Sequence, residues 1–183
     1  MKKIISLFER DWNGDKSLVV NKVTIGAEWV VDGEGIATEK IDGTACMVHD
    51  GKLYKRYDAK NGKTPPLDFV PAQEPDSITG HWPGWIPVTN KPDEKWHLEA
   101  WGKDDGFPDG TYELIGPKIG GNPYDLSAHY LVPHGRREFP DAPRDYDGLR
   151  EWLSQVPIEG LVWHHPDGRM VKIKRRDFGI DWK

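Results

Sequence analysis

Along the chain, short apolar runs alternate with polar positions at a period of two and are cut by Gly or Pro every few residues, which predicts many short strands and few helices. The stretch "TACMVHDGKLYKRY" (residues 44–57) predicts two strands around Asp50-Gly51, because both central residues of a type I′ turn need positive φ. "IEGLVWHHPDGRMVKIKR" (158–175) repeats the design around Pro166-Asp167-Gly168. "GTYELIG" (110–116) and "WHLEAW" (96–101) read as further strands. One helix is written clearly, in "RDYDGLREWLSQVP" (144–157). There Leu149, Trp152, Leu153 and Val156 fall at helical spacing, Asp145 or Asp147 caps the start, and Pro157 stops it. The pattern predicts an α+β fold of antiparallel sheets with flanking helices.

At 183 residues the expected organisation is a single domain over 1–183. Pro65, Pro66, Pro71, Pro75, Pro83, Pro87 and Pro92 crowd into about 61–95, which predicts an irregular, functional loop there. The lone Cys46 has no partner in the chain, and no zinc-ligand spacing occurs, so zinc is not expected and a reducing, cytoplasmic setting is. The apolar run after Met1 is broken by Glu9, Arg10 and Asp11 before it reaches membrane-spanning length. A net charge of −5 excludes a protein that coats nucleic acid by bulk charge. Yet Arg169, Lys172, Lys174, Arg175 and Arg176 make a local basic stretch near the end.

Three features carry candidate chemistry. Lys40 opens a Lys-x-Asp-Gly turn between two strand-like runs, and is either a solvated turn charge or a nucleophile. A free lysine, with a pKa near 10.4, attacks well only where burial or neighbouring cations help it shed a proton. In "MVKIKR" the strand period puts Val171 and Ile173 on one face and Lys172 and Lys174 on the other, two ammoniums that together suit an anion. The same period groups Glu159, Leu161 and Trp163, so a carboxylate stands at the edge of that cleft, able to balance a lysine or hold a metal. Each, taken singly, also reads as an ordinary exposed sheet charge.

Taken in order, "EKIDG", "KLYKRYD", "TYELIG", "EGLVW" and "VKIKR" resemble the nucleotidyltransferase motifs of covalent polynucleotide ligases. "GEGIATEKIDGT" and "IGPKIGGNPY" are similar to those of the small ATP-dependent 5′–3′ RNA ligases. The resemblance spans Lys40 to Lys174. It implies an adenylyltransferase fold, ATP and Mg²⁺ (or Mn²⁺) as cofactors, and RNA ends as partners. Lys40 would attack the α-phosphate and become AMP-lysine. Thr38, Glu39, Arg56, Glu113, Lys172 and Lys174 would bind the nucleotide, with Glu113 on the ribose and the paired lysines on the α-phosphate. Glu159 would be the metal-linked acid. Glu99 competes with Glu113 for the ribose. Lys118 and Asn122 either touch substrate or build a turn, and Arg175 and Arg176 are candidates for substrate phosphates. Trp82 and Trp85 either stack on bases or pack the loop onto the sheet. The nine residues after Lys174 are too few for an appended oligonucleotide-binding fold, which weighs against a DNA ligase or capping-type core. A non-catalytic nucleotide- or RNA-binding module is the remaining alternative.

Overall fold

The period-two runs fold as expected into short strands in the computed structural model, which describes residues 4–60, 63–103 and 106–182. The strands are β1 (Ile5–Ser6), β2 (Phe8–Arg10), β3 (Val19–Val23), β4 (Ile36–Lys40), β5 (Thr44–His49), β6 (Lys52–Ala59), β7 (Val70–Pro71), β8 (Trp82–Pro87), β9 (Gly110–Ile115), β10 (Tyr130–Pro133), β11 (Gly160–His164) and β12 (Met170–Lys174). The helices are α1 (Glu28–Val31), α2 (Lys95–Trp101) and α3 (Tyr146–Gln155). The described residues are thus α+β, with mostly antiparallel pairing. They divide into two compact units: Asp42–His134, and Ile4–Ile41 with Gly135–Lys183. No described helix is long and apolar enough to cross a membrane.

The Asp42–His134 unit is built on one antiparallel sheet of order β10-β9-β5-β6-β8-β7. Asp50 and Gly51 both have positive φ, 49° and 66°, as a two-residue turn between right-twisted strands requires. Inward residues Cys46, Val48, Leu53, Tyr112, Leu114 and Leu131 form its core with Ala100 of α2. The expectation of a strand over "WHLEAW" is overturned, because the segment is α2. Trp96, Leu98 and Ala100 alternate, but Ala100 is buried in the core, Trp96 and Trp101 pack against it and His97 is buried. Residues four apart share one helix face, and tertiary packing decides what six residues leave open. The 61–95 stretch is also more regular than expected, since it contains β7 and β8. The Val88 N–H bonds the Leu53 carbonyl, and Leu53 follows on from the Tyr54–Pro87 pair in register. The even-numbered residues of β8 therefore bond β6. Pro83 and Pro87, which lack an N–H, fall on the odd positions and cost that ladder nothing.

The second unit carries a four-stranded sheet of order β1-β12-β11-β4, parallel only between β1 and β12, and the separate β2-β3 hairpin. Leu161, Trp163, Val171 and Ile173 are fully buried against Leu149 and Leu153 of α3. The helix starts where expected. The Asp145 carboxylate accepts the Gly148 N–H at 2.8 Å, satisfying one of the donors a first turn leaves open. Asp145→Ala is expected to cost about 0.5–2 kcal/mol in a urea melt, with no change in the unfolding slope.

Candidate active site

In the Ile4–Ile41/Gly135–Lys183 unit, β11 sits between β4 and β12, and its register brings three lysines onto one face. Gly160 pairs with Lys40 on one side and Lys174 on the other. One step along, Val162 pairs with Thr38 and Lys172. Directly paired residues point to the same side of a sheet, so Thr38, Lys40, Lys172 and Lys174 share the face opposite buried Val171 and Ile173. Only glycine fits at 160, because an added Cβ would lie 2.1 Å from the Ile173 carbonyl oxygen.

Glu159 stands beside the lysine face, as expected, but apart from Leu161 and Trp163, which the strand period grouped with it and which are buried in the core. It precedes β11, and its buried carboxylate meets the Lys40 ammonium at 2.5 Å, with the Arg176 guanidinium at 3.8 Å. Asp177 holds the other end of the face. It accepts the Lys174 N–H and an Arg10 N–H, each at 2.8 Å, and is 1% exposed. Lys172 forms no ion pair among the described residues. Burial, then the Lys174 and Lys40 charges, hold it below the ordinary lysine range. Burial lowers Lys174 too, with Asp177 opposing and Arg176 adding. Lys172 is thus the least compensated cation of this face, whereas Lys40 meets Glu159 and Lys174 lies 3.9 Å from Asp177.

The other expected residues on this unit have local roles. The Thr38 hydroxyl bonds the Val162 carbonyl at 3.2 Å and lies 3.1 Å from His164 Nε2. Glu39 faces Arg137 at 3.3 Å. Arg175 donates to the Leu153 and Val156 carbonyls at the end of α3, the orphan acceptors of a helix C-terminus.

In the Asp42–His134 unit a separate group of expected residues is organised around Glu113 on β9. Glu113 pairs with Ala45, and a Cβ on Gly43 would meet its Cγ at 2.8 Å and the Leu114 carbonyl at 2.3 Å. The glycine of Lys-x-Asp-Gly therefore admits the glutamate. The Asp42 N–H donates to the Tyr124 hydroxyl at 2.7 Å. His134, which sequence reasoning missed, places Nε2 2.8 Å from Glu113 and Nδ1 3.0 Å from the Thr111 hydroxyl. Glu99 instead holds His129 at 2.9 Å, whose ring stacks on Trp96 at 4.5 Å. Asn122 closes a turn, its side-chain amide bonding both the N–H and the carbonyl of Leu126. Lys118 gives a backbone N–H to His129.

Arg56 lies over the Trp85 ring at 5.0 Å and is lowered from the ordinary arginine range by burial. With Asp58, Gln73, Asp76, Thr79 and His81 it lines a cavity of about 400 Å³. Trp85 is 1% exposed and Trp82 donates its indole N–H to the Gln73 carbonyl, so both pack the Pro-rich segment onto the sheet. One group of described residues has metal-ligand spacing, His49, Asp50 and Asp109, all exposed.

A family model described as RNA ligase 1 matches residues 103–183, a span that includes Glu113, Glu159, Lys172 and Lys174. RNA ligase 1 from Danio rerio is 33% identical over a region covering 80% of this chain and 68% of that protein. The proteins of the same name from Rattus norvegicus and Mus musculus are each 29% identical with the same coverage. The chain belongs to the RNA ligase 1 family.

Proposed function

We propose that the chain is an ATP-dependent RNA ligase, a single adenylyltransferase domain that joins 5′-phosphate to 3′-hydroxyl RNA ends through enzyme-AMP and RNA-adenylate. The observation that carries this reading is the lysine face, on which the Lys40 amine touches buried Glu159 in line with Lys172 and Lys174. In the first step a P–N bond forms between Lys40 Nζ and the α-phosphorus of ATP, the bond to pyrophosphate breaks, and an amine proton leaves to solvent. A 5′-phosphate oxygen of RNA then displaces the lysine, and a 3′-hydroxyl oxygen displaces AMP. Negative charge spreads over the phosphoryl oxygens at each step, so fixed cations supply most of the catalysis. Lys172 and Lys174 serve that purpose, Arg56 contacts phosphate or ribose, and Glu113 contacts the ribose. Thr38 and Glu39 line the nucleotide site, while Lys118 and Arg176 face the RNA; Asn122 and Arg175, also expected there, are instead held by backbone partners.

Glu159, whose oxygens here meet Lys40 and Arg176, would be the protein's carboxylate toward Mg²⁺. Glu159 offers a buried hard-oxygen ligand, and this ion is commonly held by one or two carboxylates together with substrate phosphates. Bound there, it would neutralise phosphate charge.

With ATP and Mg²⁺ the protein is expected to gain one AMP by intact mass, and with GTP none. In a gel assay it should seal nicks whose 3′-hydroxyl strand ends in ribonucleotides far better than all-DNA nicks, since the 2′-hydroxyl is what tells RNA from DNA. Rising salt should depress sealing more than adenylylation. Equal sealing of DNA overturns the RNA assignment, and absence of an AMP adduct overturns the mechanism.

A further inference from the structure

The pair at Glu113 includes a residue to which no role has been given. We infer that His134 is a positioning residue that aims the Glu113 carboxylate at the ribose hydroxyls of the bound nucleotide, and so sets the preference for a ribonucleotide cofactor. This rests on the adenylyltransferase reading above.

A carboxylate only accepts hydrogen bonds, so a His134 that bonds Glu113 through Nε2 carries its proton there. In the neutral ring Nδ1 is then an acceptor, and Thr111 can fill it with its hydroxyl hydrogen at 3.0 Å. One neutral tautomer satisfies both contacts, and the ring is held at both nitrogens. The backbone fixes the same geometry, because β9 and β10 pair Val132 with Glu113 and the His134 N–H bonds the Thr111 carbonyl at 3.1 Å. On its other side Glu113 is confined by Gly43, where even a methyl group would collide with its Cγ. His134 takes Oε2, while Oε1 makes no hydrogen bond among the described residues and is not a buried orphan. A carboxylate fixed through one oxygen, with the other presented, suits a hydroxyl donor. Outer partners of this kind commonly matter because they orient the contacting group.

The test measures initial rates of adenylylation with ATP, 2′-deoxyATP and 3′-deoxyATP, by transfer of the labelled α-phosphate, in the full chain. The variants are His134→Phe, His134→Gln, Thr111→Val and Glu113→Ala, with a thermal melt of each. His134→Phe fills the volume without a donor and should lose about tenfold or more of the preference for ATP over one of the deoxy analogues, chiefly through KM. His134→Gln retains an N–H donor and should keep most of it, with Thr111→Val in between. A loss of activity equal for all three nucleotides would mark His134 as merely structural and overturn the inference. So would a preference that Glu113→Ala abolishes and His134→Phe leaves intact. If Glu113→Ala itself keeps the preference while still accepting AMP, the ribose role of Glu113 fails and the inference falls with it. If the parent accepts no AMP at all, it is the adenylyltransferase reading that fails.

Discussion

Lys40→Arg protein is expected to fold like the parent and to carry no AMP. The substitution keeps a cation beside Glu159 while removing the proposed nucleophile, because a guanidinium stays protonated throughout the accessible pH range. Lys40→Ala is a poorer probe. It leaves a buried carboxylate with the Arg176 guanidinium 3.8 Å away, and stripping one partner from a buried pair costs up to about 3–5 kcal/mol. Loss of activity in that variant would confound chemistry with unfolding. With arginine in place, adenylylation should fall by more than about 10³-fold, as loss of a covalent nucleophile does elsewhere, while the melting temperature moves little. Peptide mapping of the parent should find the AMP on the peptide that contains Lys40. An adduct retained by Lys40→Arg would move the nucleophile to another lysine, with Lys172 the first to examine.

The parts of the structure legible in sequence are those whose causes are local. Asp50-Gly51 and Gly168 announce their hairpins through positive φ, and Asp145 announces α3 by its capping chemistry. The two-residue period of "VKIK" separates Val171 and Ile173 from the two lysines, as the burial confirms. What was not legible depends on partners distant in the chain. Glu159 is 119 residues from Lys40, and its placement follows from Gly160 permitting close approach of β12, which no periodicity encodes. The Arg10–Asp177 contact spans 167 residues. His134 follows the last residue of β10, where a histidine next to Pro133 and Gly135 reads as loop punctuation. Only the β9-β10 register brings it to Glu113. The misread of α2 has a different origin, since alternating Trp96, Leu98 and Ala100 satisfy a strand template and the helix is decided by the core it covers.

Lys172 should show a conflict between stability and activity, and Lys172→Met is the variant that exposes it. Among the described residues Lys172 has no ion pair, and burial followed by the Lys174 and Lys40 charges pulls it below the ordinary lysine value of 10.5. Well below the folded-state value, Lys172 is protonated in both states, and folding carries the full penalty of confining that charge. Between the folded value and 10.5 the unfolded chain binds more protons than the folded one, so this group makes stability rise with pH. Above 10.5 it is neutral in both states and the penalty is gone. Methionine keeps the length and apolar stem without the charge, so Lys172→Met should be more stable than the parent at pH 7, by roughly 0.5–2 kcal/mol. The gap should narrow as pH rises towards 10.5. The same substitution removes the cation proposed to face the phosphate, and loss of one such preorganised group lowers rates by about 10²–10³-fold. Urea melts at several pH values, run beside adenylylation assays, give both readouts. A variant both less stable and less active would mean that Lys172 is held by favourable contacts and stores no strain for an anion. One that is more stable yet fully active would remove it from the phosphate site.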